Sequence, residues 1–301
     1  MLGQLKMTFD GQIKDKVEIA IDRLKAFEPK EGYWLAFSGG KDSQCCYELC
    51  KLAGVKFTAH YNVTTVDPPE LVRFIQEHYP DAWENRTKPE KTMWQLIPEK
   101  KLPPTRLVRY CCEELKESSG EGWMTITGVR WAESSNRARN QGLVTFPSVG
   151  KRKQKEMAKL GGNFTKTPRG GVSLNDDNTE NRRLVEHCYR TQKTMVNPIV
   201  DWEDEDVWEF LNWLGVPHCC LYDEGFKRLG CIGCPMGRRE RQIYELNRWP
   251  TYKRAYLRAF EKMLEVRKAA GLPCENWKDA NDVMEWWLED KRSKVSEDEQ
   301  D

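Results

Sequence analysis

Tyr33-Trp34-Leu35-Ala36-Phe37-Ser38-Gly39-Gly40-Lys41-Asp42-Ser43 decides how this chain is read. An apolar run, Tyr33 to Phe37, stops at two glycines, and an amphipathic stretch, Gln44 to Ala53, follows them. The pattern predicts a strand, a tight loop and a helix. Glycine lets backbone turn with positive φ and approach a ligand closely. The helix behind the loop aims unpaired N–H groups and the positive end of its dipole into it. Ser38 and Ser43 add hydroxyls and Lys41 adds a full positive charge, a set suited to phosphate oxygens. Asp42 makes little sense as an anion ligand by itself, but beside a polyphosphate it suits Mg2+. The implied ligand is a nucleotide phosphate. The spacing is not that of the Walker loop, Gly-x-x-x-x-Gly-Lys-Ser/Thr.

Outward from this loop, strands and helices alternate. Ile13, Val17, Ala20, Ile21, Leu24 and Phe27 recur at helical spacing and predict an N-terminal helix. Lys56 to Tyr61 reads as a strand, and Pro68 and Pro69 open a helix that runs to about Tyr79. Trp123 to Val129 reads as another strand, followed by the polar turn Gly128 to Ser134. The expected fold is α/β, a doubly wound, mostly parallel sheet, with ligands beyond the carboxyl ends of its strands. Asn136 to Arg183 is polar, rich in Gly, Asn and basic residues, with little apolar period. It reads as a long excursion holding one short helix near Lys153 to Leu160, with a return to strand over Arg182 to Tyr189. From Asp204 the chain reads as helical, with Val207, Phe210, Leu211 and Leu214 on one stripe, and again over Pro250 to Ala270 and Lys278 to Leu288. The expected division is a nucleotide-binding α/β domain over 1–215, with an insertion at about 136–183, and a helical C-terminal region over 216–301.

Lysines and arginines number 48 against 47 acidic residues, so a net charge of +1 points to neither a nucleic-acid nor an acidic partner. No run of about 18 apolar residues is present, so no transmembrane helix is expected. The stretch Met1 to Lys16 lacks the apolar core of a secretory signal, and a cytoplasmic protein is expected. Eleven cysteines in such a chain argue for metal or redox chemistry in a reducing compartment rather than a disulfide framework. Ser296 to Asp301 reads as a solvated acidic tail.

Four cysteines form two tight pairs, Cys111-Cys112 and Cys231-Ile232-Gly233-Cys234. The second spacing lets two thiolates converge on one metal or cluster. Taken alone it fits zinc, an iron–sulfur cluster or a redox disulfide. Adjacent cysteines start in divergent directions, but on a helix neighbours are about 100° apart and one cluster can take both. The competing reading is that cysteines are small buried hydrophobes. It is the reading adopted for Cys45, Cys46, Cys50, Cys188, Cys219 and Cys220, with Cys219-Cys220 the rival pair for ligation.

Ser38-Gly39-Gly40-Lys41-Asp42-Ser43 resembles the PP-loop of the ATP-pyrophosphatase superfamily, whose signature is Ser-Gly-Gly-x-Asp-Ser/Thr. Further blocks resemble the phosphoadenosine phosphosulfate (PAPS) reductase family within it. These are Val66-Asp67-Pro68-Pro69-Glu70; Gly128-Val129-Arg130-Trp131-Ala132-Glu133-Ser134 with Arg137; Asn197-Pro198-Ile199 with Asp201-Trp202 and Asp206-Val207-Trp208; and Leu221-Tyr222-Asp223 with Gly225-Phe226. The resemblance implies a nucleotide site made by Ser38, Gly39, Gly40, Lys41, Asp42, Ser43, Asp67, Gly128, Arg130 and Glu133. Lys41, Asp42, Arg130 and Arg137 would do the catalytic work, and Asp42 would help to hold Mg2+. The paired cysteines are similar to those of family members that carry a 4Fe–4S cluster, notably adenylyl-sulfate (APS) reductases. Cys111, Cys112, Cys231 and Cys234 would then be cluster ligands, with Lys116 beside them.

Two departures from the reductases matter. Their C-terminal tail carries a catalytic cysteine, whereas Ser293 to Asp301 holds neither cysteine nor histidine, and the last cysteine is Cys274. Their phosphate loop is degraded, whereas this one keeps Lys41 and Asp42. Both departures point to ATP and to adenylyl-dependent sulfur transfer, with a sulfur donor or thiol or electron-donor protein as partner and a nucleic acid as the acceptor to consider. The alternatives are an APS or PAPS reductase releasing sulfite, with Cys274 or a partner's thiol as nucleophile, and a non-enzymatic binding module stabilised by zinc. Two basic stretches could track phosphates or simply be solvated surface. One is Lys151, Arg152, Lys153, Lys155, Lys159, Lys166 and Arg169; the other is Arg238, Arg239, Arg241 and Arg248. Trp249, Trp277, Trp286 and Trp287 read as helix-packing residues. No chemistry is assigned to His60, His78, His187 or His218.

Overall fold

The computed structural model describes residues 6–9, 12–117, 119–120, 122–146, 164–168, 171–174, 194–274 and 276–289. Its main element is a seven-stranded sheet. Strand β3 (Tyr33–Phe37) pairs in parallel with β4 (Phe57–Tyr61) on one side and β5 (Met124–Ile126) on the other. Strand β9 (Thr194–Val196) continues the parallel set beside β5. Beyond it lie β6 (Val144–Phe146), β8 (Val172–Leu174) and β7 (Phe164–Lys166), all antiparallel to their neighbours. The order across the sheet is therefore β4-β3-β5-β9-β6-β8-β7. The expected α/β sheet is present, with a parallel core and an antiparallel wing. A separate hairpin, β1 (Lys6–Phe9) with β2 (Gln12–Asp15), precedes it.

Two expectations are corrected here. The helix read from Ile13 starts later, at Lys16, because residues 12–15 pair as a strand and the Asp15 carboxylate accepts from the Val17 amide at 2.7 Å. This is α1 (Lys16–Ala26). The polar excursion 136–183 also contributes strands among its described residues, since β6, β7 and β8 all come from it. Each is three residues long, too short for a period to show in sequence. Val144, Phe146, Val172 and Leu174 are buried and anchor this wing. The short helix expected near Lys153 to Leu160 and the strand expected over Arg182 to Tyr189 lie outside the described residues, as does the acidic tail.

Helix α2 (Lys41–Ala53) packs Cys45, Cys46, Leu49 and Cys50, all fully buried, against the sheet. Burial pushes all three thiols upward, so they serve as small hydrophobes. Cys219 is buried as expected, Cys220 is exposed against expectation, and Cys188 lies outside the described residues. Helix α3 (Pro69–His78) opens on the second proline of its pair, as expected.

The residues fall into two compact units that interleave along the chain. The first runs to Tyr61 and adds Glu70–Thr87 and Ser119–Leu229; it contains the sheet. The second gathers Asn62–Pro69, Lys88–Ser118 and the chain from Gly230 onward. Its framework is helical: Met93–Lys100 and Ala280–Leu288 both pack on Pro250–Ala269. Tyr256 sits at the centre, 5.0 Å from the Trp94 ring and 4.8 Å from that of Trp287. Trp249, Trp277 and Trp287 are buried in this unit and Trp286 packs edge-on to Trp277, as helix-packing residues should. Among the described residues no helix is long and apolar enough to cross a membrane.

Candidate functional site

Three neighbouring parallel strands, β3, β5 and β9, each end in a turn that carries charge. The chain passes from β3 to β4 on one side and later enters β5 on the other, so the crevice beyond β3 and β5 is a topological switch point, the usual place for a ligand in an open parallel sheet. The β3 turn is Ser38 to Ser43. It closes on itself: the Ser43 hydroxyl donates to the Gly40 carbonyl (2.8 Å) and accepts from the Ser38 amide (3.2 Å) and hydroxyl (3.3 Å). Gly39 has φ +73°, which favours glycine. The Tyr222 hydroxyl lies against the loop and accepts from the Lys41 amide at 2.8 Å. Burial holds the Tyr222 phenol above its ordinary value, so it stays protonated.

Two buried cations converge on two carboxylates here. Lys41 Nζ donates to Asp204 Oδ1 at 2.8 Å and to Asp42 Oδ1 at 3.1 Å. Arg130, from the β5 turn, donates through Nε to the same Asp42 oxygen at 2.8 Å and through Nη2 to the same Asp204 oxygen. Its Nη1 is fixed by the Trp202 carbonyl at 3.2 Å. Burial works against the Arg130 charge, but Asp42 and Asp204 more than offset it and hold its pKa up. Burial likewise opposes ionisation of Asp204, and Lys41 and Arg130 overcome it, so its carboxyl sits below the usual range. Asp204 opens the helix Asp204–Trp213 that follows β9.

Arg137 lies on the short helix Ser135–Asn140 that follows the β5 turn and is paired with Glu133, which also meets Arg228 at 3.2 Å. Burial lowers the Arg137 pKa, with Glu133 opposing. Glu133 also accepts from the Arg130 amide at 3.1 Å, so it ties the turn together. Two other acidic residues of the quoted blocks do structural work. Asp201 grips Arg23, and Asp206 pairs with Lys16 and accepts from the Glu203 amide at 2.7 Å.

The second unit holds the cysteines. Tyr110–Cys112 is a short helix that runs into a π-helical turn, Glu113–Glu117. The C-x-x-C loop is pinned from several sides. The Ile232 amide donates to the Val66 carbonyl (2.8 Å), the Gly233 amide to the buried Glu245 carboxylate (2.8 Å), and the Tyr256 hydroxyl to the Ile232 carbonyl (2.9 Å). Cys111 hydrogen-bonds Cys112 and lies within electrostatic reach of Cys231 and Cys234. That bond and burial raise Cys111. The same bond, seconded by Arg109 and Lys116 against burial, lowers Cys112. Burial raises Cys231, whose Sγ is 3.5 Å from the Thr64 hydroxyl. The pKa of Lys116 is raised, first by Cys231, with burial of its ammonium end opposing and Asp67, Cys234 and Cys112 adding to the rise. Asp67 belongs to this second unit, where its carboxylate accepts from the Thr64 amide at 2.8 Å. Cys112, Cys231 and Cys234 all act electrostatically on Cys111, and four thiols are the residue type that a thiolate-bound metal group would use. Among the described residues no three His, Cys, Asp or Glu side chains are arranged around a single metal ion.

The family model for the phosphoadenosine phosphosulfate reductase domain matches residues 32–236, more than half of the sequence. The chain belongs to the PAPS reductase family. Among relatives, an adenosine 5'-phosphosulfate reductase of Neisseria meningitidis is 36% identical over 53 residues, 18% of this chain and 22% of that protein. An uncharacterised protein of Methanocaldococcus jannaschii is 24% identical over 250 residues, 79% of this chain and 42% of that protein. The chain thus spans less than half the length of these curated relatives. Of solved structures, Candida glabrata FMN adenylyltransferase in complex with FAD and inorganic pyrophosphate aligns with a TM-score of 0.38 at 14% identity. It covers 72% of this chain and 62% of that one, too distant a likeness to argue from.

In this PAPS reductase-family chain the structure brings Lys41, Asp42, Gly128 and Arg130 together at the loop. It keeps Glu133 on the adjoining turn, Arg137 on the short helix that follows and Asp67 among the cysteines. Sequence reasoning missed Asp204 as a partner of both cations and Tyr222 as a partner of the loop. The signal was present for each. Asp204 is acidic at a helix start just past the carboxyl end of a core strand, and Tyr222 lies in a block that resembles the segment closing the family's site.

Proposed function

We propose that this protein is an enzyme that binds ATP at Ser38–Ser43 and uses adenylyl transfer to drive sulfur transfer. The observation that carries the reading is the convergence of Lys41 and Arg130, both buried, on one point beside a glycine loop at a helix start. Buried cations so placed neutralise phosphoryl charge with little reorganisation, which is how such sites favour a transition state. Lys41 and the loop amides would hold the phosphates. Arg130 would meet the charge that develops on cleavage between the α and β phosphates. Asp42 would ligate a Mg2+ that arrives with the nucleotide. Arg137, held by Glu133, would orient that turn. Cys111, Cys112, Cys231 and Cys234 would hold a 4Fe–4S cluster, whose chemistry when bound is to carry electrons or sulfur. Arg109 and Lys116 favour the thiolate of Cys112, and Lys116 opposes the effect of burial on Cys231. The exposed Arg238 and Arg239 beside the C-x-x-C fit a nucleic-acid acceptor.

A second reading is supported by the 53-residue likeness to an APS reductase. In it the ligand is a sulfonucleotide and Cys274, half-buried, supplies the nucleophile. Calorimetric titration of one anaerobic preparation with MgATP, APS and PAPS separates the two. Tight MgATP binding with weak sulfonucleotide binding is the expected result, and preference for APS or PAPS would replace the first reading with the second. Asp42→Ala should cut ATP-to-AMP turnover at least about a hundredfold while the fold persists; undiminished turnover would reject the role of Asp42.

A further inference from the structure

The four charges at the loop form a closed square, Lys41–Asp42–Arg130–Asp204, in which each oxygen involved accepts from both cations. Its members are not equally committed. The Lys41 and Arg130 side chains are 5% and 2% exposed, and neither can lose its counter-ions without leaving an uncompensated buried charge. Asp42 is 20% exposed and is fixed by its place in the first turn of α2. Asp204 is 60% exposed, so water can take over its carboxylate once another anion replaces it on the two cations. The cations therefore need an anion at this point but not this anion. With two positive and two negative groups the square is also neutral, so as it stands it offers an incoming phosphate no net attraction.

We propose that Asp204 is a resident counter-ion that an anionic phosphoryl or sulfuryl group of the nucleotide displaces from Lys41 and Arg130, so that Asp204 sets the affinity of the site for anions. This rests on the reading of the loop as a nucleotide phosphate site and deepens it. The exchange demands a ligand that brings full negative charge to one spot. It penalises neutral or singly charged ligands, for which the Asp204 contacts are not replaced. It also keeps both cations oriented between turnovers.

The exchange makes opposite predictions from a structural role. Asp204→Asn keeps an oxygen acceptor and removes the charge. Metal-free inorganic pyrophosphate should then bind about tenfold tighter than to the wild type, since one charged competitor is gone. Adenosine, which brings no charge, should bind unchanged. Glu205→Gln removes the same charge one residue along the exposed helix start and should shift pyrophosphate affinity by no more than about twofold. If Asp204→Asn does not fold, judged by its melting transition, Asp204→Ser tests the same point. A wild type that binds pyrophosphate or MgATP, with an Asn variant that binds pyrophosphate equally or more weakly, overturns the exchange and leaves the phosphate reading standing. An equal gain in Glu205→Gln also overturns it, by reducing the effect to net charge. A wild type that binds neither MgATP nor pyrophosphate overturns the phosphate reading, and the exchange with it.

Discussion

Gly128 shapes the site as much as the glycine pair does. A Cβ at this residue would stand 2.8 Å from the carbonyl carbon and oxygen of Asp42, backbone atoms that cannot give way. The missing side chain is what lets the β5 turn come close enough for Arg130 to reach Asp42. Gly39 is confined differently: besides its positive φ, a Cβ there would lie 2.7 Å from Ile75. On β4, His60 stacks on Trp34 with ring centroids 3.3 Å apart, and its Nδ1 is 3.1 Å from the Asn85 carbonyl. Burial holds its pKa below the ordinary 6.5, with the Asn85 contact opposing. A histidine whose folded pKa is depressed binds fewer protons folded than unfolded, so stability rises with pH through that interval and is lost as pH falls below about 6.5. The urea midpoint of the wild type should therefore drop between pH 7.5 and 5.5 by more than that of His60→Asn. Equal drops would assign the effect to other groups. Sequence alone could not supply this, because His60 gains its environment from β3. The loop residues were legible, by contrast, because Ser38 to Ser43 are consecutive and their chemistry is local.

Arg23 ties helix α1 to the segment that follows β9. Arg23, buried, forms a bidentate pair with Asp201 (both bonds 2.8 Å) and donates to the Pro198 carbonyl (3.0 Å). These partners lie in the segment that joins β9 to the helix Asp204–Trp213, so Arg23 positions the element that carries Asp204. Removing one partner of such a pair strands the other, and Arg23→Ala should cost about 3 kcal/mol or more in urea unfolding. Replacing both, as Arg23→Met with Asp201→Leu, should cost less than the single change. A single-variant loss under about 1 kcal/mol would show that the pair is dispensable. At this scale the sequence was legible where elements are long. Helices over Pro69–His78 and Pro250–Ala269 and strands over Tyr33–Phe37 and Phe57–Tyr61 agree with the reading within a residue or two. It failed for β6, β7 and β8, which are three residues each and gain their stability from pairing with partners as far away as Val144 is from Val196. Local periodicity carries no trace of such pairing.

Across the whole molecule, each compact unit holds one cluster of chemistry-bearing residues: Lys41, Asp42, Arg130 and Asp204 in the first, and the four paired cysteines in the second. The units interleave, since Asn62–Pro69 follows β4 directly and belongs with segments that begin at Lys88 and Gly230. A linear reading of composition has no means of seeing such an arrangement, whereas the cysteine pairs were visible at once because their spacing is local. If the proposed nucleotide and cluster roles hold, substitution should separate them. Protein purified without oxygen should contain iron and labile sulfide in equal amounts. Cys231→Ser should lose most of both, and Cys220→Ser, at an exposed cysteine of the first unit, should lose neither. Because thiolate-bound metal contributes folding energy, Cys231→Ser should also lower the melting temperature of the protein. MgATP affinity should change by less than about threefold, since no loop residue belongs to the cysteine unit. Zinc without sulfide in the wild type would replace the cluster by a structural metal. Retention of iron in Cys231→Ser would remove that cysteine from the ligand set. A collapse of MgATP binding along with the iron would show that the nucleotide site depends on the second unit, and the separation of the two functions would be lost.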